Sequence, residues 1–157
     1  MGIFDIFRFT PPAHKKFGLF ISNYLKNDEH ILICYRGIIE SGCTEGLQLN
    51  YELFSKHFRA IQIQILFSCM GQSLNNKNYY SFSNILIKEV KEFDSDIWKL
   101  VKQKYSDTYN LGGIEGMVEE LNKKPFKQKL NNNNKTTLIK SMEILKIQFN
   151  ETIKNFN

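Results

Sequence analysis

Hydrophobic residues recur at steps of three and four along most of the chain, which is the spacing of one face of an α-helix. After Thr10-Pro11-Pro12, an N-cap residue followed by prolines suited to the first helical turn, the pattern predicts a helix that ends near Asn27. The next apolar run, residues 31–35, fits either a buried strand or a buried turn of helix. We expect a helix there, with Gly42 as its stop.

The longest predicted helix, around residues 45–74, should lie at the centre of the fold. One apolar stripe follows steps of four and three over residues 47–65, and a second stripe that ends at Met70 runs beside it. A helix that is apolar on most sides is a buried helix. Residues 61–65 also alternate as a strand would, but the longer pattern runs through them and their two glutamines favour helix.

Helical spacing continues after this helix, with two expected interruptions. It covers residues 82–105, where Asp94-Ser95-Asp96 would split the segment into two helices. Gly112-Gly113 should then break the chain before a short helix over residues 114–122. A last helix begins near Leu138 and continues at steps of three and four.

These segments together predict a single all-α domain over residues 1–157. Its architecture would be a compact bundle of five or six helices joined by polar turns. Residues 1–10 would form an N-terminal arm. The sustained steps of three and four also leave room for self-association into a homo-oligomer.

The composition fits this fold and narrows the class of protein. The chain of 157 residues is 42% hydrophobic and 24% charged, which describes one ordinary globular domain with a mild net charge of +5. No apolar stretch reaches the roughly 20 residues of a membrane span, so we predict none. Three cysteines without a C-x-x-C pair favour thiols in a reducing compartment, and we expect a cytoplasmic protein.

No residue pattern points to a metal ion or a cofactor, and we expect neither. The three histidines lie on three different predicted elements, without the spacing of a ligand pair on one helix face. Among the thiols, Cys34 and Cys69 lie in apolar runs typical of a core. Cys43 lies in a predicted turn and is the candidate reactive thiol.

A lysine-rich stretch departs from the mixed charge of the rest of the chain. It contains five lysines and no acid: Lys123, Lys124, Lys127, Lys129 and Lys135. With the four asparagines at 131–134, it predicts a polar loop over residues 123–135 before the last helix. Such lysines bind nucleic-acid phosphates without base preference, so the first four form the site of an alternative function, weak nonspecific nucleic-acid binding.

A surface for binding another protein is the leading hypothesis, because nothing catalytic is evident. Its candidate residues are Tyr51, Glu52, Lys56, Arg59, Tyr79, Tyr80 and Tyr109. The first four lie on the predicted exposed face of the long helix, which continues to Gln62, and the other three fall in predicted turns. Tyrosine and arginine are enriched in binding hot spots. Charge reversal at Glu52 or Arg59 should then abolish binding while the fold survives.

The sequence therefore favours a non-enzymatic helical module that binds a protein partner. Small adaptors and bacterial toxin-neutralising immunity proteins have this size and helicity and likewise lack catalytic motifs. That comparison rests on general architecture and on no motif. Nucleic acid is the less favoured partner.

Overall fold

The computed structural model of the chain describes residues 12–41, 51–123 and 130–156, and every regular element in these ranges is a helix. The elements are α1 (Pro12–Lys26), α2 (Glu29–Glu40), α3 (Tyr51–Ser73), α4 (Asn76–Phe93), α5 (Ser95–Leu100), a π-helical turn (Val101–Tyr105), α6 (Ser106–Lys123) and α7 (Asn132–Lys154). The predicted all-α fold is confirmed. Within the described residues, none of the helices has the length and apolar character that crossing a bilayer requires.

Six helical rods make up the described part of the chain, because α5, the π turn and α6 follow one another without a gap. The predicted break before this rod is confirmed at Asp94. This residue ends α4 with an extended backbone, and its side chain accepts a hydrogen bond from the Asp96 amide at 2.9 Å, which caps α5. A side-chain acceptor at this position satisfies a backbone N–H that the helix itself leaves without a partner.

Helix α3 is the centre of the bundle, as its two apolar stripes predicted. It contacts α2, α4, α5, the π turn, α6 and α7. Ten consecutive residues of α3, 57–66, are buried, so this helix has no solvent-facing side over almost three turns. The polar side chains in that run must therefore find partners inside the protein.

Aromatic rings form part of the contact between helix α1 and the bundle. Phe17 is fully buried, and its ring centroid lies 4.7 Å from that of Phe82 in α4 and 5.4 Å from that of Phe156 after α7. Aromatic pairs at these separations add to the stabilisation from burial alone. The apolar stripe on α1 thus joins the two ends of the described chain.

Residues 31–35 are helical, because α2 buries Ile31 and Ile38 on one face against the bundle. Two residues seven positions apart lie on the same side of an α-helix, so this packing selects helix over strand. The expected stop at Gly42 lies outside the described residues. The helix ends two residues earlier, at Glu40, and Ser41 follows it as the C-cap.

The prediction of a loop over residues 123–135 was wrong at both of its ends. Lys123 closes α6, and α7 begins at Asn132. The Asn131 side chain accepts a hydrogen bond from the Asn134 amide at 2.8 Å, so asparagines that look like a linker form a helix N-terminus. Asn134 is itself buried and donates to the Ser41 hydroxyl at 2.9 Å. Residues 124–129 lie outside the described ranges, as does the predicted arm at 1–10.

Helix α6 bends sharply at the predicted glycine pair. Gly113 has φ 61° and ψ −148°, a backbone conformation that residues with a Cβ rarely adopt. A Cβ added to Gly116 would lie 2.9 Å from the Thr108 carbonyl oxygen, so the two arms of α6 approach closely across the bend. The chain therefore needs glycine at Gly113 because of its positive φ, and at Gly116 because there is no space for a Cβ.

Candidate functional site

The predicted exposed face of α3 is partly wrong. Arg59 and Gln62 are only 3% and 1% exposed. The Arg59 guanidinium pairs with Asp28, donates to the Tyr24 carbonyl oxygen at 3.4 Å and lies 5.3 Å from the centre of the Phe93 ring. The polar strip fails as an exposed surface because the residues that cover it come from other helices. We expect charge reversal at Arg59 to bury a carboxylate beside Asp28 and strongly destabilise the fold, contrary to the sequence-based expectation that the fold survives.

The start of α3 is more open, but its charges already have partners. Lys56 Nζ lies 3.3 Å from Asp94, 3.8 Å from Asp96 and 3.7 Å from Glu52. The hydrogen bond to Asp94 raises the pKa of Lys56 above its ordinary value. Tyr51 packs edge-on against Tyr35 at 5.0 Å. At this end of α3 the Lys56 charge is therefore compensated by three carboxylates. The described residues contain no group of side chains arranged to hold a metal ion.

The three tyrosines expected in turns lie in helices instead, Tyr79 and Tyr80 in α4 and Tyr109 in α6. Two of them, Tyr79 and Tyr109, come together in one groove. The groove lies between α3, α4, α5, the π turn and α6, and it has a volume of about 370 Å³. We call it the aromatic groove, because its lining includes Phe67, Tyr79, Trp98 and Tyr109. The third tyrosine, Tyr80, is 69% exposed and packs edge-on against Tyr79 with 5.9 Å between ring centroids.

The rings of the aromatic groove are held in place by the surrounding helices. Phe67 and Trp98 lie 5.6 Å apart between ring centroids. The Tyr109 and Ser68 hydroxyls form a hydrogen bond of 2.8 Å, which fixes the position of the Tyr109 ring. A partner would therefore meet a largely preformed surface, which reduces the entropy lost on binding.

The π turn positions one wall of this groove. Trp98, Lys102 and Ser106 line it at steps of four along the α5–α6 rod. Residues four apart drift around an α-helix of 3.6 residues per turn, and a wider π turn counteracts that drift. The same turn buries Tyr105 in the core, and the buried Val101 also lines the groove.

The groove combines apolar rings with a single charge. Among the residues that the structure describes, Lys102 is the one charged residue that lines it, and Gln64 and Asn110 supply amide groups. Such a site suits an apolar side chain with a negatively charged neighbour. Sequence reasoning missed Trp98, Phe67 and Lys102. The four-residue spacing from Trp98 through Lys102 to Ser106 was the signal that could have indicated Trp98 and Lys102.

The lysines proposed for nucleic acid are only partly described. Lys123 pairs with Glu120 at 3.1 Å, and Lys135 pairs with Glu119 at 2.7 Å. Burial raises the pKa of Glu120, but its lysine neighbours outweigh this effect and hold it below its ordinary value. Lys124, Lys127 and Lys129 lie outside the described residues. The described part of this stretch thus carries charge pairs, and Lys123 is not an isolated cation.

Both described cysteines were predicted to lie in the core, and Cys69 fits this prediction better than Cys34. Cys69 is buried and Cys34 is half-buried. Burial raises the pKa of Cys69 to about 11 and also raises that of Cys34, so both are poor nucleophiles at neutral pH. The candidate reactive thiol, Cys43, lies outside the described residues.

A second opening, which sequence reasoning did not predict, lies on another side of α3. It is lined in part by His30, Gln62 and Ser141, from three different helices. No spacing in the sequence connects residues this far apart in the chain.

When the whole chain is compared with known proteins, no protein-family model, no curated protein and no solved structure matches it.

Proposed function

We propose that the chain is a non-enzymatic module that binds another protein through the aromatic groove. The observation that carries this proposal is the convergence of Tyr79, Tyr109 and Trp98, from three helices, around one partly open groove. Exposed tyrosine and tryptophan rings dominate the energetics of many interfaces, because they bury a large area with few rotatable bonds. The partner would insert an apolar side chain between these rings.

The charge of the groove narrows the class of partner further. In the described part of the groove lining no carboxylate accompanies Lys102, so an aspartate or glutamate next to the inserted side chain would complement it. Tyr80 stands exposed outside the groove and extends the contact surface. The recognised segment is then an apolar residue, aromatic or aliphatic, followed or preceded by an acid.

A peptide library displayed on phage tests this proposal with the purified protein. Selected peptides should pair an apolar residue with Asp or Glu. A Lys102→Glu variant should weaken their binding by about tenfold or more, and a Tyr80→Ala variant should weaken it measurably.

Two matched variants control for general effects of charge and exposed apolar surface. Lys140→Glu makes the same charge change at an exposed position on α7, and Ile147→Ala truncates an apolar side chain that is 59% exposed. Both should leave peptide affinity unchanged. Equal losses in Lys102→Glu and Lys140→Glu would show a nonspecific charge effect, and peptides without acids would contradict the proposed partner chemistry.

A cytoplasmic adaptor and a toxin-neutralising immunity-type protein are the two settings that we propose for such a module. Affinity purification from the native cells, with nuclease and a salt series, would identify the partner. Recovery of nucleic acid that salt removes would instead favour binding through Lys123, Lys124, Lys127 and Lys129. Recovery of the chain itself would indicate a homo-oligomer.

A further inference from the structure

The second opening has the properties of a small-molecule site. We call it the polar cleft; it has a volume of about 360 Å³ and lies where α1, α2, α3 and α7 meet. Its walls include Ile33 and Ile144, which are 62% and 57% exposed. Its polar residues include Tyr24, His30, Gln62 and Ser141. An apolar cleft with a few convergent polar groups is the common form of a ligand pocket.

A chain of hydrogen bonds connects the polar residues of the cleft. The Gln62 amide nitrogen lies 2.9 Å from His30 Nδ1, and His30 Nε2 lies 2.5 Å from the Ser141 hydroxyl. Burial lowers the pKa of His30, so the ring is neutral at pH 7. With the Gln62 N–H donating to Nδ1, the imidazole proton sits on Nε2 and His30 donates to Ser141. This series of hydrogen bonds uses the amide nitrogen of Gln62 and not its carbonyl oxygen.

Two polar atoms of the cleft residues have no hydrogen-bond partner in the described part of the chain. They are the Gln62 carbonyl oxygen and the Tyr24 hydroxyl, and both are shielded from water. Gln62 is only 1% exposed as a whole residue. A buried polar atom without a partner destabilises a protein, so two of them beside one cleft are an arrangement that a ligand can complete.

From this arrangement we infer that the polar cleft binds a small uncharged carboxamide with an apolar body. The ligand N–H donates to the Gln62 carbonyl oxygen, and the ligand C=O accepts from the Tyr24 hydroxyl. The apolar body lies between Ile33 and Ile144. A carboxamide carries both a hydrogen-bond donor and an acceptor without a net charge, whereas a carboxylate has no donor.

The electrostatics of the cleft favour a neutral ligand. Glu29 is the one charged residue among the described residues of the lining, and it would repel an anion. Nearby Arg59 is already paired with Asp28, so it offers no unpaired positive charge to a carboxylate. Burial raises the pKa of Tyr24, which keeps its hydroxyl protonated and able to donate.

Access to the two oxygens requires side chains at the rim to move. Ile144 and Gln148 line the cleft from the exposed face of α7. Exposed side chains change rotamer within nanoseconds, so they do not prevent entry. The bound ligand replaces contacts at the rim and gains the two buried hydrogen bonds.

Benzamide is a suitable probe, and benzoate is its charged analogue of nearly the same shape. Titration of the full chain, followed by two-dimensional NMR, should give a dissociation constant on the order of 1 mM for benzamide, as expected for so small a molecule. Benzoate should bind at least about tenfold more weakly. Residues of α2 and α7 around the cleft should show the largest shifts.

Tyr24→Phe and Gln62→Leu test the two hydrogen bonds separately. Tyr24→Phe removes a hydroxyl that has no partner in the described structure, so the fold should keep or raise its unfolding temperature while benzamide affinity falls several-fold. Gln62→Leu should also weaken binding. Gln64→Leu is the matched control, because Gln64 lies two positions along α3 and lines the aromatic groove instead; benzamide affinity should not change.

Three results would overturn the inference. The first is the absence of benzamide binding, and the second is equal affinity for benzamide and benzoate. The third is unchanged affinity in a correctly folded Tyr24→Phe variant. None of them affects the proposed protein-binding function, which rests on the aromatic groove and on Lys102.

Discussion

Removing either partner of the Arg59–Asp28 ion pair should have unequal effects on stability. Arg59 is 3% exposed, whereas the Asp28 side chain is 50% exposed. Loss of Asp28 therefore leaves a buried guanidinium without its counter-charge. Loss of Arg59 leaves a carboxylate that water can reach. The second state costs less, because burial of an unpaired charge is the expensive outcome.

The magnitudes follow from the contacts of each residue. Breaking a fully buried pair costs about 3–5 kcal/mol, and this pair is open to solvent on one side, so we expect Asp28→Ala to lower the free energy of unfolding by about 2–3 kcal/mol. The Asp28 side chain makes no capping hydrogen bond to α2, so little of this loss is a cap effect. Arg59→Met keeps an apolar stem of similar length, and the Tyr24 carbonyl still accepts from the Asn27 amide at 3.1 Å. We expect a loss of about 1 kcal/mol.

Urea unfolding followed by circular dichroism at 222 nm measures these losses, provided that the slope with urea is unchanged. The double variant should be no less stable than Asp28→Ala alone, since removing the stranded charge relieves the main penalty. A loss in Arg59→Met that equals or exceeds the loss in Asp28→Ala would refute this reasoning. So would additive losses in the double variant.

Three further predictions concern the backbone, a histidine and a thiol. Gly113→Ala should lower the free energy of unfolding by about 1–3 kcal/mol because its positive φ strains any residue with a Cβ, whereas Gly112→Ala, where a Cβ meets open space, should be neutral or stabilising in the same urea assay. Burial lowers the pKa of His30 in the folded state. The contribution of His30 to stability is therefore present above the unfolded value of 6.5 and is lost as pH falls through the folded pKa. A His30→Gln variant should lose less stability between pH 7.5 and 5.5 than the parent, and an equal loss would exclude this histidine as the cause. Burial raises the pKa of Cys69 to about 11, so iodoacetamide at pH 8 should label it slowly in the native protein, and mass spectrometry should locate any fast labelling at Cys43.

Much of the fold could be predicted because hydrophobic spacing reports local structure. The double stripe on α3 indicated a buried helix, and residues 57–66 are indeed all buried. Asp94 and Gly113 were recognisable as breaks because both act within a few residues of chain. Asp94 caps a helix with its side chain, and Gly113 adopts a positive φ. The asparagine run misled for a related reason, since the residue that favours loops also caps helices.

The candidate sites could be predicted less well, because they depend on distant contacts. Arg59 looks exposed from its spacing on α3, and its pairing with Asp28, the residue just before α2, compensates the charge that is buried. Tyr79 and Tyr109 were identified as separate residues, but the packing that brings them together involves the π turn, which has no simple sequence signature. The polar cleft unites residues from four helices and had no sequence signal at all.

The central position of α3 has a consequence for how the protein is made. A ribosome releases this helix before α5, α6 and α7, which cover most of its surface. The Cys69 thiol, for example, reaches its partner, the Lys146 carbonyl at 3.5 Å, only after α7 has been synthesised. Until then the apolar surface of α3 remains exposed in the nascent chain, and chaperones bind such surfaces. A message truncated before α7 would therefore yield an aggregating chain and not a smaller folded protein.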